Sequence, residues 1–170
     1  MFIKSTYKKC LIAVLFSAGS LMATSSNAQN ASDIAKVTNG GTCGEQYDGS
    51  DKCDVTGADF SDQRITGWYR SLQASGANFS RTQLFAGDFF KANLAGADFS
   101  YANISGFEFN STNLTGAKFV GARIASPFEG ANMTSADLTD ASISDMDNFL
   151  KYGHFCQTTM PDRTVNNRDC

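Results

Sequence analysis

Basic residues are in short supply in this sequence. Lys and Arg number 14 against 17 Asp and Glu, and an acidic surface cannot neutralise phosphates, so nucleic-acid binding is not expected. There is one histidine, His154, so any imidazole chemistry would rest on it alone. Long apolar runs are absent after the first thirty residues, which leaves no other segment able to cross a membrane. Asp48, Asp51 and Asp54 cluster near the N-terminus but lack the glycine and glutamate spacing of a calcium loop. No metal and no cofactor is therefore expected. A lack of hydrophobic residues would indicate disorder, but 42% of the 170 residues are hydrophobic and 12% aromatic, enough for one folded domain with a core.

The exceptional apolar run lies at the start. Lys4, Lys8 and Lys9 precede a mostly apolar stretch from Leu11 to Ala23, and a polar stretch then ends Ser26-Asn27-Ala28. This order reads as a secretory signal peptide over residues 1–28, cleaved after Ala28, and the run is shorter than the roughly 20 residues of a membrane span. Cleavage would remove three lysines and no acid, giving 14 − 3 = 11 cations against 17 acids and a formal charge of −6. An exported protein, periplasmic or secreted, with no membrane attachment after cleavage is expected. Cys10 would leave with the leader, and Cys43, Cys53, Cys156 and Cys170 would remain. An even number in an oxidising compartment reads as two disulfides. Three connectivities are possible, of which sequence proximity favours Cys43–Cys53 and Cys156–Cys170.

The dominant signal is a repeat of five. Bulky apolar residues recur at Phe79, Leu84, Phe89, Leu94, Phe99, Ile104, Phe109, Leu114, Phe119 and Ile124. Two positions before most of them stands a small residue, such as Ala77, Ala92 or Ala117, and the residue between is polar, such as Asn78 or Asp98. A helix face needs a period near 3.6 and a strand a period of 2, so a strict five describes short extended segments joined by turns.

Ala-Asn-Leu-Ala-Gly at 92–96, Ala-Asp-Phe-Ser-Tyr at 97–101 and Ala-Asp-Leu-Thr-Asp at 136–140 resemble the A(D/N)LXX pentapeptide-repeat family. The resemblance implies an all-β, right-handed quadrilateral β-helix with four pentapeptides per coil and both bulky and small residues pointing inward. Residues twenty apart should then stack, and Phe79, Phe99 and Phe119 do recur at that interval, as do Leu84, Ile104 and Ile124. The register slips by one at Pro127 and resumes with Phe128, Met133, Leu138 and Ile143; before it, Val55, Phe60 and Ile65 follow the same spacing. One column is expected to hold Phe60, Phe79, Phe99, Phe119 and Leu138. Residues 68–74 break the pattern and are expected to bulge outward. After an insertion at 144–148, Leu150, Phe155, Met160 and Val165 are again at fives, so the coil should continue nearly to the end. About five coils are expected over residues 53–170, including a C-terminal cap, preceded by an N-terminal extension and cap loop at 29–52.

The ends resemble those of exported pentapeptide-repeat proteins: Phe155-Cys156 to Asp162 and Asn167-Arg168-Asp169-Cys170 resemble their C-terminal cap, and Cys53-Asp54-Val55 their first coil. Two departures are Arg163, where glycine is usual, and the ten-residue spacing around Tyr47 that separates Cys43 from Cys53.

Catalytic residues are not expected. His154 lies beside Cys156, but a disulfide would remove the nucleophile; Asp137 and Asp140 sit at outward repeat positions, where a solvated face accounts for them. Asn-x-Ser/Thr triplets at Asn78 and Asn113 follow from the repeat. More distinctive are Phe85, Phe90 and Tyr101 at outward positions, Phe107 at a position that is normally small, and Trp68 and Tyr69 in the expected bulge. These six residues form a candidate surface for a protein partner, with a satellite core under a folded-down bulge as the competing arrangement. The function expected is that of an exported, non-enzymatic structural or interaction scaffold. The alternative is an acidic DNA mimic inhibiting a type II topoisomerase, as a resemblance to fluoroquinolone-resistance pentapeptide proteins would imply; the export signal argues against it. Ice binding would need outward ranks of threonine, which Ser80, Ala95, Ser100 and Ser105 do not supply.

Overall fold

The computed structural model describes residues 31–44 and 52–170. The leader reading at 1–28 lies outside them, as do Tyr47, Asp48 and Asp51.

The period of five folds as expected, into a β-solenoid with four internal columns. The side with the longest ladder is a parallel sheet of β1 (Arg64–Trp68), β2 (Gln83–Asp88), β3 (Asn103–Glu108), β4 (Arg123–Ala125) and β5 (Ser142–Ile143). Four full turns carry the chain from β1 to β5, and partial turns extend it at both ends, close to the five coils expected. Ile65, Leu84, Ile104, Ile124 and Ile143 stack in register inside this sheet.

The next column is aromatic. Phe60, Phe79, Phe99 and Phe119 are fully buried, with successive ring centroids 5.0, 4.9 and 5.0 Å apart and nearly parallel planes. Leu138 continues the column. Four buried rings, each worth roughly 1.5–3 kcal/mol before entropy losses, make it a principal stabilising feature.

The polar residue before each bulky one has a structural task. Its side-chain oxygen accepts the backbone N–H two residues on, as Asn78 does from Ser80, Asp98 from Ser100 and Asn132 from Thr134. This Asx turn bends the chain, and the corner residue that follows takes positive φ, either glycine or a polar residue. Arg163, which stands where glycine is usual, takes that conformation (φ 67°) and pairs with Asp140 at 2.9 Å.

Residues 68–74 do not bulge outward. Tyr69 is fully buried and joins Phe89, Phe109 and Phe128 in one column, while Leu72 and Ala74 are both buried, with the large and small inward positions exchanged. Tyr69 follows Ile65 by four residues rather than five, and β1 absorbs the missing residue in a register shift between Ile65 and Gly67. The same shortening occurs at Pro127, where Phe128 follows Ile124.

Both ends are closed by elements that the repeat does not announce. Helix α1 (Ala31–Thr38) covers the first coil; Asp33 accepts the N–H of Asp54, and the Val37 carbonyl accepts from the Tyr69 hydroxyl. These contacts occupy groups at an open solenoid edge. At the other end α2 (Met146–Tyr152) replaces a repeat, so that Phe149 rather than Leu150 packs on Phe128, at 5.3 Å. Phe155 and Met160 are buried, as expected of continued coiling, but Val165 is exposed in β7 (Val165–Asn166), which pairs antiparallel with β6 (Thr158–Thr159).

Candidate functional site

The expected surface cluster divides in two. Tyr69 and Phe107 belong to the core, each fully buried, with rings 6.2 Å apart. Phe107 fits at a position that is normally small because its register partner is Gly87, where a side chain would collide with its ring. Trp68 and Tyr101 are exposed, at 53% and 66%, and Phe85 and Phe90 are half-buried. A folded-down Trp68 is therefore not the arrangement found: Tyr69, its neighbour, turns inward and Trp68 turns out.

Cations gather on the outward rings, which sequence reasoning missed. The Arg64 guanidinium lies 4.0 Å from the Phe85 centroid, and Phe90 lies between Arg70 at 5.8 Å and Lys91 at 5.1 Å. Residues 19–21 apart become neighbours on adjacent coils, so the period itself would have brought Arg64 to Phe85 and Arg70 to Phe90. Asp88, buried beside them, is paired with Arg70 at 3.3 Å and accepts the Phe90 N–H. The first two coils thus carry an outer surface of aromatic rings with cations laid on them. On the next corner Tyr101 leans across Gly121, whose lack of a side chain makes the room.

The groups considered for chemistry are dispersed. His154 is exposed, and Cys156 is bonded to Cys170. Asp137 accepts from the Thr139 backbone and hydroxyl, and Asp140 holds Arg163. Two grooves of about 500 and 550 Å³ flank α2, the first lined by Met146, Leu150, Met160 and Val165, the second by Pro127, Phe149 and Tyr152; neither is lined by histidine or cysteine. Among the described residues no cluster of potential ligands could hold a metal, and no helix is long and apolar enough to cross a membrane.

Both favoured disulfides are present. Cys43–Cys53 ties the α1 segment to the first coil, and Cys156–Cys170 fastens the C-terminal residues to the last. Two bridges are compatible with an exported protein. At the C-terminal bridge, Asp169 accepts from the Arg168 guanidinium and the Phe155 N–H, which hold its carboxyl down to about 2. Arg168 also donates to the carbonyls of Leu150 and Gly153 and lies 5.2 Å from the Phe155 ring.

The family profile for pentapeptide repeats matches residues 92–125 in 8 copies. Residues 92–125 are pentapeptide repeats. A search of curated proteins returns no match. Among solved structures, this chain is similar to a pentapeptide repeat protein from the Arabidopsis thaliana thylakoid lumen, at 28% identity over 73% of this chain and 90% of that one, with a TM-score of 0.38. It is also similar to Rfr23 of the cyanobacterium Cyanothece 51142, at 18% identity over 66% and 90%, TM-score 0.40. QnrB1, a plasmid-mediated fluoroquinolone resistance protein, matches at 18% identity over 64% and 62%, TM-score 0.41.

Proposed function

We propose that this protein is an exported, periplasmic or secreted scaffold without catalytic activity, which presents a rigid outer surface of its first two coils to a protein partner. The observation that carries this reading is the set of outward rings, Trp68, Phe85 and Phe90, with Arg64, Arg70 and Lys91 placed against the two phenylalanines. Trp and Arg are the residue types that dominate binding energy at interfaces, and a continuous hydrogen-bonded coil holds them with little conformational freedom to lose on binding. Export is supported by the two disulfides and by the leader-like first segment.

Capture from the exported fraction by the oxidised protein, compared with Phe90→Asp and Trp68→Ala, tests the proposal. Wild type should retain a defined partner that Phe90→Asp loses; retention by both variants would remove the surface from consideration. A DNA-mimic reading has one feature in its favour, three acids in the outward row Asp59, Asn78, Asp98, Lys118 and Asp137, although Lys118 interrupts them. Inhibition of gyrase by the protein, together with its retention in the cytoplasm, would put that reading first.

A further inference from the structure

The outer face of β1–β4 carries two arginines at the start of its strands, while its carboxylates, Asp88 and Glu108, stand at the far end of β2 and β3. Arg64, Gln83, Asn103 and Arg123 are register partners across four adjacent strands, all exposed. The second outward row on this face is Thr66, Phe85, Ser105 and Ala125. Neither arginine is in an ion pair among the described residues. Arg64 is oriented by the Phe85 ring, which fixes its direction and leaves its charge unneutralised. The nearby acids are engaged, Asp62 by Arg81, Asp88 by Arg70 and Asp140 by Arg163, while Glu108, at the far end of β3, accepts from the Asn110 amide.

The two arginines have a defined separation. Neighbouring strands lie about 4.8 Å apart, so three steps put Arg64 and Arg123 about 14 Å apart along the solenoid axis. An extended peptide advances about 3.4 Å per residue and presents every second side chain to one side, so carboxylates four residues apart on it are also spaced about 14 Å.

We infer that this face docks an extended acidic segment of a protein partner, laid across the strands, with carboxylates at positions i and i+4 on the two guanidiniums and the side chain at i+2 over the Phe85 row. The inference rests on the scaffold reading above and names the chemistry of its partner. Arginine suits the task because its planar fork pairs with a carboxylate through two hydrogen bonds.

The test is fluorescence anisotropy with the oxidised protein and a labelled synthetic peptide carrying glutamate at every fourth position, with threonine and valine between. Saturable binding that weakens with added salt is expected, as is a loss of about tenfold in Arg64→Gln/Arg123→Gln. Arg64→Glu/Arg123→Glu should instead prefer the lysine analogue of the peptide. Circular dichroism checks that the variants keep the fold, and Arg123→Gln alone, which removes no ring contact, should still weaken binding. Equal binding of a glutamine analogue, indifference to the arginine substitutions, or binding of an oligouronate but not of the peptide would each overturn the inference. Loss of the native partner in Phe90→Asp with no binding of the glutamate peptide would defeat this inference while leaving the scaffold reading in place.

Discussion

The rings of Tyr69 and Phe107 lie 6.2 Å apart and nearly parallel, two coils from each other, with Gly87 on the coil between them. A Cβ on Gly87 would meet the Phe107 ring at 2.6 Å and the Gly67 carbonyl oxygen at 2.0 Å. The backbone contact cannot be relieved by a side-chain rotation. Gly87→Ala should therefore cost about 3 kcal/mol, at the upper end of overpacking effects, measured as a fall in the urea midpoint. An unchanged midpoint would show that the coils can separate at this corner.

Phe99 sits in mid-column, 4.9 Å from Phe79 and 5.0 Å from Phe119. Phe99→Ala removes a ring with partners on both sides and should cost about 3–5 kcal/mol, whereas Phe99→Leu keeps most of the volume and should cost about 1.5 kcal/mol or less. Equilibrium unfolding of the two variants should reproduce that order.

Each disulfide fastens an end rather than the middle. Replacing Cys156 and Cys170 by serine should lower stability by about 2–4 kcal/mol, and proteolysis should begin at the C-terminal cap. In Cys43→Ser/Cys53→Ser, enhanced hydrogen exchange should instead appear in α1 and the Arg64–Trp68 strand, while the middle coils keep their protection.

The middle coils were legible because one rule, a bulky residue every five positions, fixes backbone, column and face together. Where the sequence departs from the rule it was misread in a consistent way. Leu72 with Ala74, and Phe107 with Phe109, alter the size pattern, yet all four residues stay inside. The pattern of residue sizes and the direction of side chains are separate properties, and only the first is written in the repeat. The caps were obscure for another reason. Helix α1 is positioned by Asp33 on the Asp54 N–H and by Val37 on Tyr69, contacts across 21 and 32 residues that no local period encodes. The outward rings were recognised, but their cations were not, although Arg64 and Phe85 are 21 residues apart, about one coil.

Acid should loosen the C-terminal cap. Asp169 is held down to about 2 chiefly by the hydrogen bond from Arg168 and then by the Phe155 N–H, against an ordinary value of about 3.9 in an unfolded chain. A folded pKa below the unfolded one contributes stability that is present above pH ~4 and lost as pH falls through about 2. Hydrogen exchange at Phe155 and Asp169 should rise across that window. Asp169→Asn should show weaker protection at neutral pH and no change through the window.

Alkali should act at the opposite end, through Tyr69. Burial pushes its phenol up to about 12, because the phenolate would lose hydration in the apolar column; the hydroxyl donates to the carbonyls of Val37 and Thr66. The unfolded chain releases that proton near pH 10, so the folded state binds the extra proton between the two values. The resulting stability is complete below pH ~10 and is lost as pH rises through about 12. Tyr69→Phe keeps the ring in its column but removes both hydrogen bonds, which should cost about 1 kcal/mol near neutrality and flatten the alkaline slope. Phenolate absorbance in wild type should show one tyrosine ionising last, together with unfolding and release of α1. Ionisation of every tyrosine near pH 10 with the fold intact would place the Tyr69 hydroxyl in water and undo this account of how the N-terminal coil is closed.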